Sequence, residues 1–190
     1  MKSSQHANQV RIIAGTWRGR RLSFAPVPGL RPTPDRVRET LFNWLAPVIR
    51  GARCLDLYAG SGALGLEAAS RGAAEVVLVD NAPQVVVSLG QQQELLGAHQ
   101  VSVVQAEVLQ WLSRPSSAFD IVFLDPPFRR GMLLPCIEQL ESCGWLSDQA
   151  RVYIEAEKGL VPELPENWEL LRSKVAGEVG YHLARRNREN

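Results

Sequence analysis

The chain has 190 residues, of which 45% are hydrophobic and 22% charged. That length suits one domain with a small appendage, and a chain this size buries about 70% of its unfolded surface, so it needs no disulfide or metal staple. The composition excludes the collagen-like, disulfide-rich and wholly disordered classes. No apolar run reaches the roughly 18 residues of a membrane span. The opening MKSSQHANQV lacks the apolar core of a secretory signal, so a cytoplasmic protein is expected. Cys54, Cys136 and Cys143 show no CxxC spacing and read as small buried hydrophobes in a reducing compartment.

The net charge of +1 hides an asymmetry. Residues 1–40 carry eight Lys/Arg against two Asp/Glu, residues 41–180 carry ten against seventeen, and the last ten carry Arg185, Arg186 and Arg188 against Glu189. Basic ends around an acidic middle suit a polyanion such as nucleic acid. Arginines that merely solubilise the termini would read the same way.

In chain order, QVRIIAGTWRGRRLSFAP reads as a β-hairpin with Gly15 and Gly19 near its bend. A helix follows in LRPTPDRVRETLFNWLAPVI. Thr33 suits its cap, Pro34 its first position and Asp35 its first turn. Val37, Leu41, Trp44 or Leu45, and Val48 recur at helical spacing as a buried face, leaving Arg36, Arg38 and Glu39 opposite. From Cys54 strands and helices alternate. CLDLYA, EVVLVD, VSVVQA, FDIVFLD and ARVYIEAE are the strands. GALGLEAASRG, APQVVVSLGQQQELLG, VLQWLSR and GMLLPCIEQLESCG are the helices, the second opening at Pro83 and stopping at Gly97. WELLRSKVAGEVGYHLARR turns near Ala176–Gly177 as two further strands. The expected fold class is therefore α/β. It is a Rossmann-like, mostly parallel sheet with flanking helices, an antiparallel C-terminal edge hairpin, and a small N-terminal β-hairpin and helix.

Gly60-Ser61-Gly62-Ala63-Leu64-Gly65 fits G-x-G-x-x-G between a strand and a helix, and Asp80 lies twenty residues past Gly60 at the end of the next strand. Dinucleotide-binding dehydrogenases share this layout. The physics belongs to any nucleoside ligand: glycines permit close backbone approach and the acid accepts from ribose hydroxyls. Asp56, where the first of these strands meets the loop, favours S-adenosylmethionine over NAD. A carboxylate suits an ammonium and a sulfonium but repels a pyrophosphate.

Asp125-Pro126-Pro127-Phe128 ends the fourth of these strands and suits amine chemistry. An exocyclic base amine is a poor nucleophile because its lone pair is delocalised into the ring. The Asp125 carboxylate and the Pro126 carbonyl can accept both its hydrogens and aim that lone pair at a methyl group, and the paired prolines fix the turn. Phe128 can stack on a base that has left its own stack. Asp56, Asp80 and Asp125 should converge at the carboxyl edge of the sheet, where open α/β sheets bind ligands.

These motifs, together with RIIAGTWRGRRL, GLRPTPDRVRETLFNWL, CLDLYAGSGALGLEAASRGA, FDIVFLDPPFRRG and VAGEVGYHL, make the chain resemble a bacterial family of class I S-adenosylmethionine-dependent methyltransferases. That family methylates the exocyclic N2 amine of a guanine in small-subunit (16S) ribosomal RNA. The likeness runs from Val10 to about Tyr181. It implies that Asp56, Gly60 and Gly62 hold the methionine part of the cofactor and that Asp80 holds the ribose. It sets Glu107 near the adenine amine, where a solvated helix-start acid reads equally well. It implies that Thr33–Glu39, with Thr33 and Arg38, closes over the methionine end and faces RNA, and that Asp125 through Phe128 are catalytic. Asp rather than Asn before Pro-Pro leans toward guanine. By this likeness residues 1–33 form a basic RNA-facing hairpin extension and residues 34–190 the methyltransferase domain.

Arg11, Arg18, Arg20, Arg21 and Arg31 flank the hairpin, with Trp17 among them, and Arg129 and Arg130 follow the catalytic turn. Arginines beside a target pocket hold phosphates around a splayed base, so these seven are expected to form one continuous RNA track. Trp44, Trp111, Trp145 and Trp168 read as core or partly buried, and His6, His99 and His182 as incidental. The partner expected is 16S ribosomal RNA or the small ribosomal subunit, met by a monomer with no membrane contact and no metal, S-adenosylhomocysteine being the product. The competing readings are transfer to another amine (adenine N6 of RNA or DNA, or a protein glutamine), a nucleotide-dependent oxidoreductase, and a catalytically silent RNA-binding assembly factor.

Overall fold

A computed structural model describes residues 8–187; His6, Arg188 and Glu189 lie outside them. Two strands, β1 (Gln9–Arg11) and β2 (Arg21–Ser23), pair antiparallel as the expected hairpin. Helix α1 (Asp35–Leu45) follows. Then β3 (Arg53–Leu57), α2 (Ala63–Ser70), β4 (Glu75–Asp80), α3 (Pro83–Leu96), β5 (Val101–Gln105), α4 (Val108–Leu112), β6 (Phe119–Leu124), α5 (Leu133–Ser142) and β7 (Leu146–Glu157) alternate. The chain ends in β8 (Trp168–Ala176) and β9 (Val179–Arg186).

The seven-stranded sheet runs β5-β4-β3-β6-β7-β9-β8. Strands β3 to β7 are parallel, and β9 and β8 add the antiparallel edge. From β3 the chain steps outward through β4 to β5, then crosses back to β6 on the other side of β3. That reversal is the switch point beside which an open α/β sheet leaves a ligand crevice.

Side chains alternate across each strand, so the sheet has two cores. Cys54, Leu78, Phe123, Tyr153 and Leu183 face α1, α2 and the N-terminal hairpin, whose Val10, Ile12 and Leu22 join the same cluster. Leu55, Val79, Val122, Ile154 and Ala184 face α4 and α5. Local signals behave as expected in α3, with Pro83 in its first turn and Gly97 closing it in the left-handed region at φ 60°.

Three expectations need correction. Thr33 does not cap α1. Pro34 occupies that position, and the Thr33 hydroxyl instead donates to Glu155, 122 residues away. Arg38 is not on a solvent face: it is fully buried, while Val48, beyond the helix end, is exposed. Cys143 is exposed at the end of α5, whereas Cys54 and Cys136 are buried. The other tryptophans lie as expected, Trp145 and Trp168 buried and Trp44 and Trp111 half-buried against the two cores.

Candidate active site

The register of the sheet assembles the site. Asp56 of β3 pairs with Phe123 of β6, and Phe123 with Tyr153 of β7. One step past the last β6–β7 pair, Leu124 with Ile154, stand Asp125 and Glu155. By strand alternation Asp56, Asp125 and Glu155 all project to the α1–α2 side, at the carboxyl ends of the three central strands. Asp80 ends β4 on the same side.

Asp56 is almost fully buried, and its Oδ2 accepts from the backbone N–H of Gly65 at 2.9 Å. The glycine at 65 is steric. A Cβ there would come within 2.2 Å of Leu78 Cδ2 and 3.0 Å of Asp56 Oδ2. Gly60 and Gly62 are needed for conformation, at φ 53° and 74°, and Gly62 caps α2 in the left-handed region. Asp80 braces the loop: its two carboxylate oxygens accept from the N–H groups of Gly60 (3.0 Å) and Ala82 (2.9 Å). The segment before α1 lies over this loop, with Leu30 positioned to touch any Cβ at residue 60.

Burial pushes the Asp56 carboxyl up to about 7, against the Gly65 hydrogen bond and with help from Asp80 and Glu155. Asp125 is pushed well above the usual carboxylate range, by burial first and then by Glu155 and Asp56. Glu155 is also raised by burial, though Thr33 and Tyr153 pull it back by donating to its Oε1 at 2.8 and 2.9 Å. Like charges this close cannot all ionise unless a cation joins them. The crevice therefore fits a ligand carrying an ammonium and a sulfonium, and it fits a pyrophosphate poorly.

Beyond Asp125 a cleft of about 320 Å³ opens between Pro126–Leu133 and the stretch Glu155–Glu157, with Leu160 at its edge. The Phe128 ring is exposed there. Arg129 adopts φ 59°, unusual for a residue with a side chain, and its N–H donates to Glu157. That left-handed turn sends Arg129 and Arg130 outward as exposed side chains.

The other expected residues are distributed unevenly. Glu107 follows β5 and caps α4, accepting from the Gln110 N–H at 2.9 Å. Arg38 donates to the Thr33 and Arg11 carbonyls and pairs with Asp35 and Glu67. With its whole guanidinium held by protein acceptors, it anchors the Thr33 segment from beneath. Arg11 pairs with Asp35, and Arg11, Arg21 and Thr33 line a second cleft of about 340 Å³ at the start of α1. The bend carrying Arg18 docks instead at the far end of α2, where Thr16 and Trp17 bond Ser70, and Arg20 reaches the Leu95 carbonyl near the end of α3. Arg18 and Arg20 therefore lie toward the C-terminal ends of α2 and α3, while Arg11 and Arg21, partners across the hairpin, line the cleft beside Thr33. Among the described residues no group of three or more His, Cys, Asp or Glu is placed to hold a metal ion, and no helix is long and apolar enough to cross a membrane.

Glu155, Tyr153 and Glu67 escaped the sequence reading. Glu155 had one visible signal, an acid near the end of the strand ARVYIEAE. Glu67 had none. It is completely buried in the apolar helix α2, accepting from the N–H groups of Ile13 and Ala14 and pairing with Arg38 and Arg71.

The sheet order, the glycine loop ending β3 and the Asp-Pro-Pro-Phe turn ending β6 define a class I S-adenosylmethionine-dependent methyltransferase. Residues 10–185 match a family model described as conserved hypothetical protein 95. The chain is similar to ribosomal RNA small subunit methyltransferase D of Escherichia coli K12, at 51% identity over 98% of this chain and 96% of that one. It is similar to the protein of the same name in Haemophilus influenzae, at 44% identity over 96% and 98%. A solved methyltransferase structure from E. coli superposes with a TM-score of 0.88 at 52% identity, covering 96% of this chain and all of that one. A methylase structure from H. influenzae gives 0.83 at 41% identity over 95% and 99%. The chain belongs to this family, that of ribosomal RNA small subunit methyltransferase D.

Proposed function

We propose that the protein transfers a methyl group from S-adenosylmethionine to the exocyclic N2 amine of a guanine in 16S ribosomal RNA, leaving S-adenosylhomocysteine and using no metal. One observation carries the reading. The Asp125 carboxyl has no hydrogen-bond partner among the described residues, yet it sits at the head of β6 between a cluster of acids and an open cleft. Its remaining duty is toward a ligand.

When bound, S-adenosylmethionine supplies an electrophilic methyl group on a positively charged sulfur. Asp56, beside the α2 N-terminus, would hold the ammonium end, and Asp80 keeps lone pairs for ribose hydroxyls after bracing the loop. Leu30 and Thr33 close that end against water. Asp125 and the Pro126 carbonyl would accept the two amine hydrogens and turn the nitrogen lone pair toward the methyl carbon. With the leaving sulfur becoming the neutral thioether of S-adenosylhomocysteine, Asp125 would be placed to take the proton the amine nitrogen gives up on methylation. Its raised proton affinity suits a late acceptor. Phe128 stacks on the extruded base, and Arg129 and Arg130 meet the flanking phosphates.

Asp125→Ala tests the assignment. It should abolish methyl transfer while S-adenosylmethionine affinity, read by calorimetry, stays within about tenfold. Residual turnover with a comparable loss of affinity would move Asp125 to the cofactor side. Mass-spectrometric nucleoside mapping of 16S RNA from cells with and without the protein identifies the product.

A further inference from the structure

We infer that Glu155 is a specificity residue that reads the N1–H of the target guanine alongside Asp125. The inference rests on the guanine-N2 reading above and names how that base is told from others. Glu155 and Asp125 stand at neighbouring positions on β7 and β6, one step past the pair Leu124–Ile154, and on the same face of the sheet. Glu155 also lines the cleft that runs along Pro126, Pro127 and Phe128. Both hydrogen bonds to its carboxylate, from Thr33 and from Tyr153, fall on Oε1. They lock the side chain of this cleft-lining residue and leave Oε2 with no hydrogen-bond partner among the described residues.

A guanine entering by its Watson–Crick edge presents two adjacent donors, N2–H and N1–H. Adenine presents an acceptor at N1. Two acid acceptors side by side match the first pattern, and an acid facing the adenine N1 would leave two acceptors opposed. Deeply buried acids that serve only packing are costly; burial raises Glu155, and the two hydroxyls on Oε1 oppose that shift, so beside a bound cation it can ionise and accept.

The test uses ribosomal RNA carrying, at the mapped position, either guanine or 2-aminopurine. The latter keeps the 2-amino group but has an acceptor at N1. The wild-type protein should prefer guanine by about tenfold to a hundredfold in kcat/KM, the range for a hydrogen bond to a charged group. Glu155→Gln keeps an oxygen for Thr33 and Tyr153 and places an amide donor toward N1, so the preference should fall to about one or invert. Fluorescence of the 2-aminopurine RNA with S-adenosylhomocysteine present reports capture of the base without turnover, and it should rise with Glu155→Gln relative to wild type.

Equal kcat/KM on the two RNAs in the wild type would overturn the inference, and this comparison needs no variant to fold. An unchanged ratio in Glu155→Gln, with both substrates slowed alike, would reduce Glu155 to a prop for Thr33 and would equally overturn it. A product methylated elsewhere than the 2-amino group would instead refute the guanine-N2 reading itself, and this inference with it.

Discussion

Replacing Asp56 by asparagine should make the ligand-free protein more stable at alkaline pH and no more stable in acid. The carboxyl is 2% exposed, and burial raises it from 3.8 to about 7. The folded chain therefore holds this proton to higher pH than the unfolded chain does. Folding strength falls as pH rises from about 4 through 7, because above that range a charge must be kept in the crevice. Three pH units at 1.36 kcal/mol each give about 4 kcal/mol. Asparagine keeps an oxygen for the Gly65 N–H but must bury an amide hydrogen, at about 1–3 kcal/mol. The net gain at pH 8 is about 2 kcal/mol, or roughly 4–8 °C in Tm for a chain of this size. At pH 5 Asp56 is already neutral in the fold, and the gain should vanish. Calorimetric melting of both proteins from pH 5 to 8 measures this. S-adenosylmethionine should stabilise the wild type strongly at pH 8 and the variant little, since the cation's partner is gone. A gain of equal size at pH 5 and pH 8, or none at pH 8, refutes the idea that an uncompensated carboxylate waits there for a positive ligand.

Four further outcomes are expected. Asp80→Ala should weaken S-adenosylmethionine binding by about 1–3 kcal/mol through unpaired ribose hydroxyls, and equal affinity by titration would contradict the ribose role. Arg129→Ala with Arg130→Ala should lower both affinity and salt slope on a minimal RNA hairpin. Arg18→Ala with Arg20→Ala, toward the C-terminal ends of α2 and α3, should matter most on longer RNA, and matched losses on the minimal hairpin would support a single continuous track. Arg38→Met should destabilise by about 3 kcal/mol, because Glu67 remains buried with its charge only partly matched by Arg71. A denaturation midpoint at the wild-type value would show that the pair contributes nothing.

What the chain declared about itself was local. A glycine loop must follow a strand because Gly60 and Gly62 adopt backbone angles that side chains oppose. Pro83 and Gly97 mark α3, and alternating apolar runs yield a parallel sheet. The Asp-Pro-Pro-Phe turn announces its chemistry in four residues. The residues left unread depend on partners far along the chain. Arg38 follows Val37 on α1 and looked solvent-facing, yet Glu67 of another helix draws it inward. Thr33 carried a cap signature, but Glu155 competes for its hydroxyl across 122 residues.

Periodicity reports which side of an element meets the core, and it says nothing of which element lies opposite. The apposition of Asp125 with Glu155 comes from the β6–β7 register, which forms only when the sheet does. The seating of the Arg18 bend against the end of α2 comes from where Thr16 and Trp17 bond Ser70. Sequence alone determined the backbone conformations and the chemical groups available. Tertiary structure decided which of those groups share a low-dielectric space, and so which must shed their charge, pair, or await a cation.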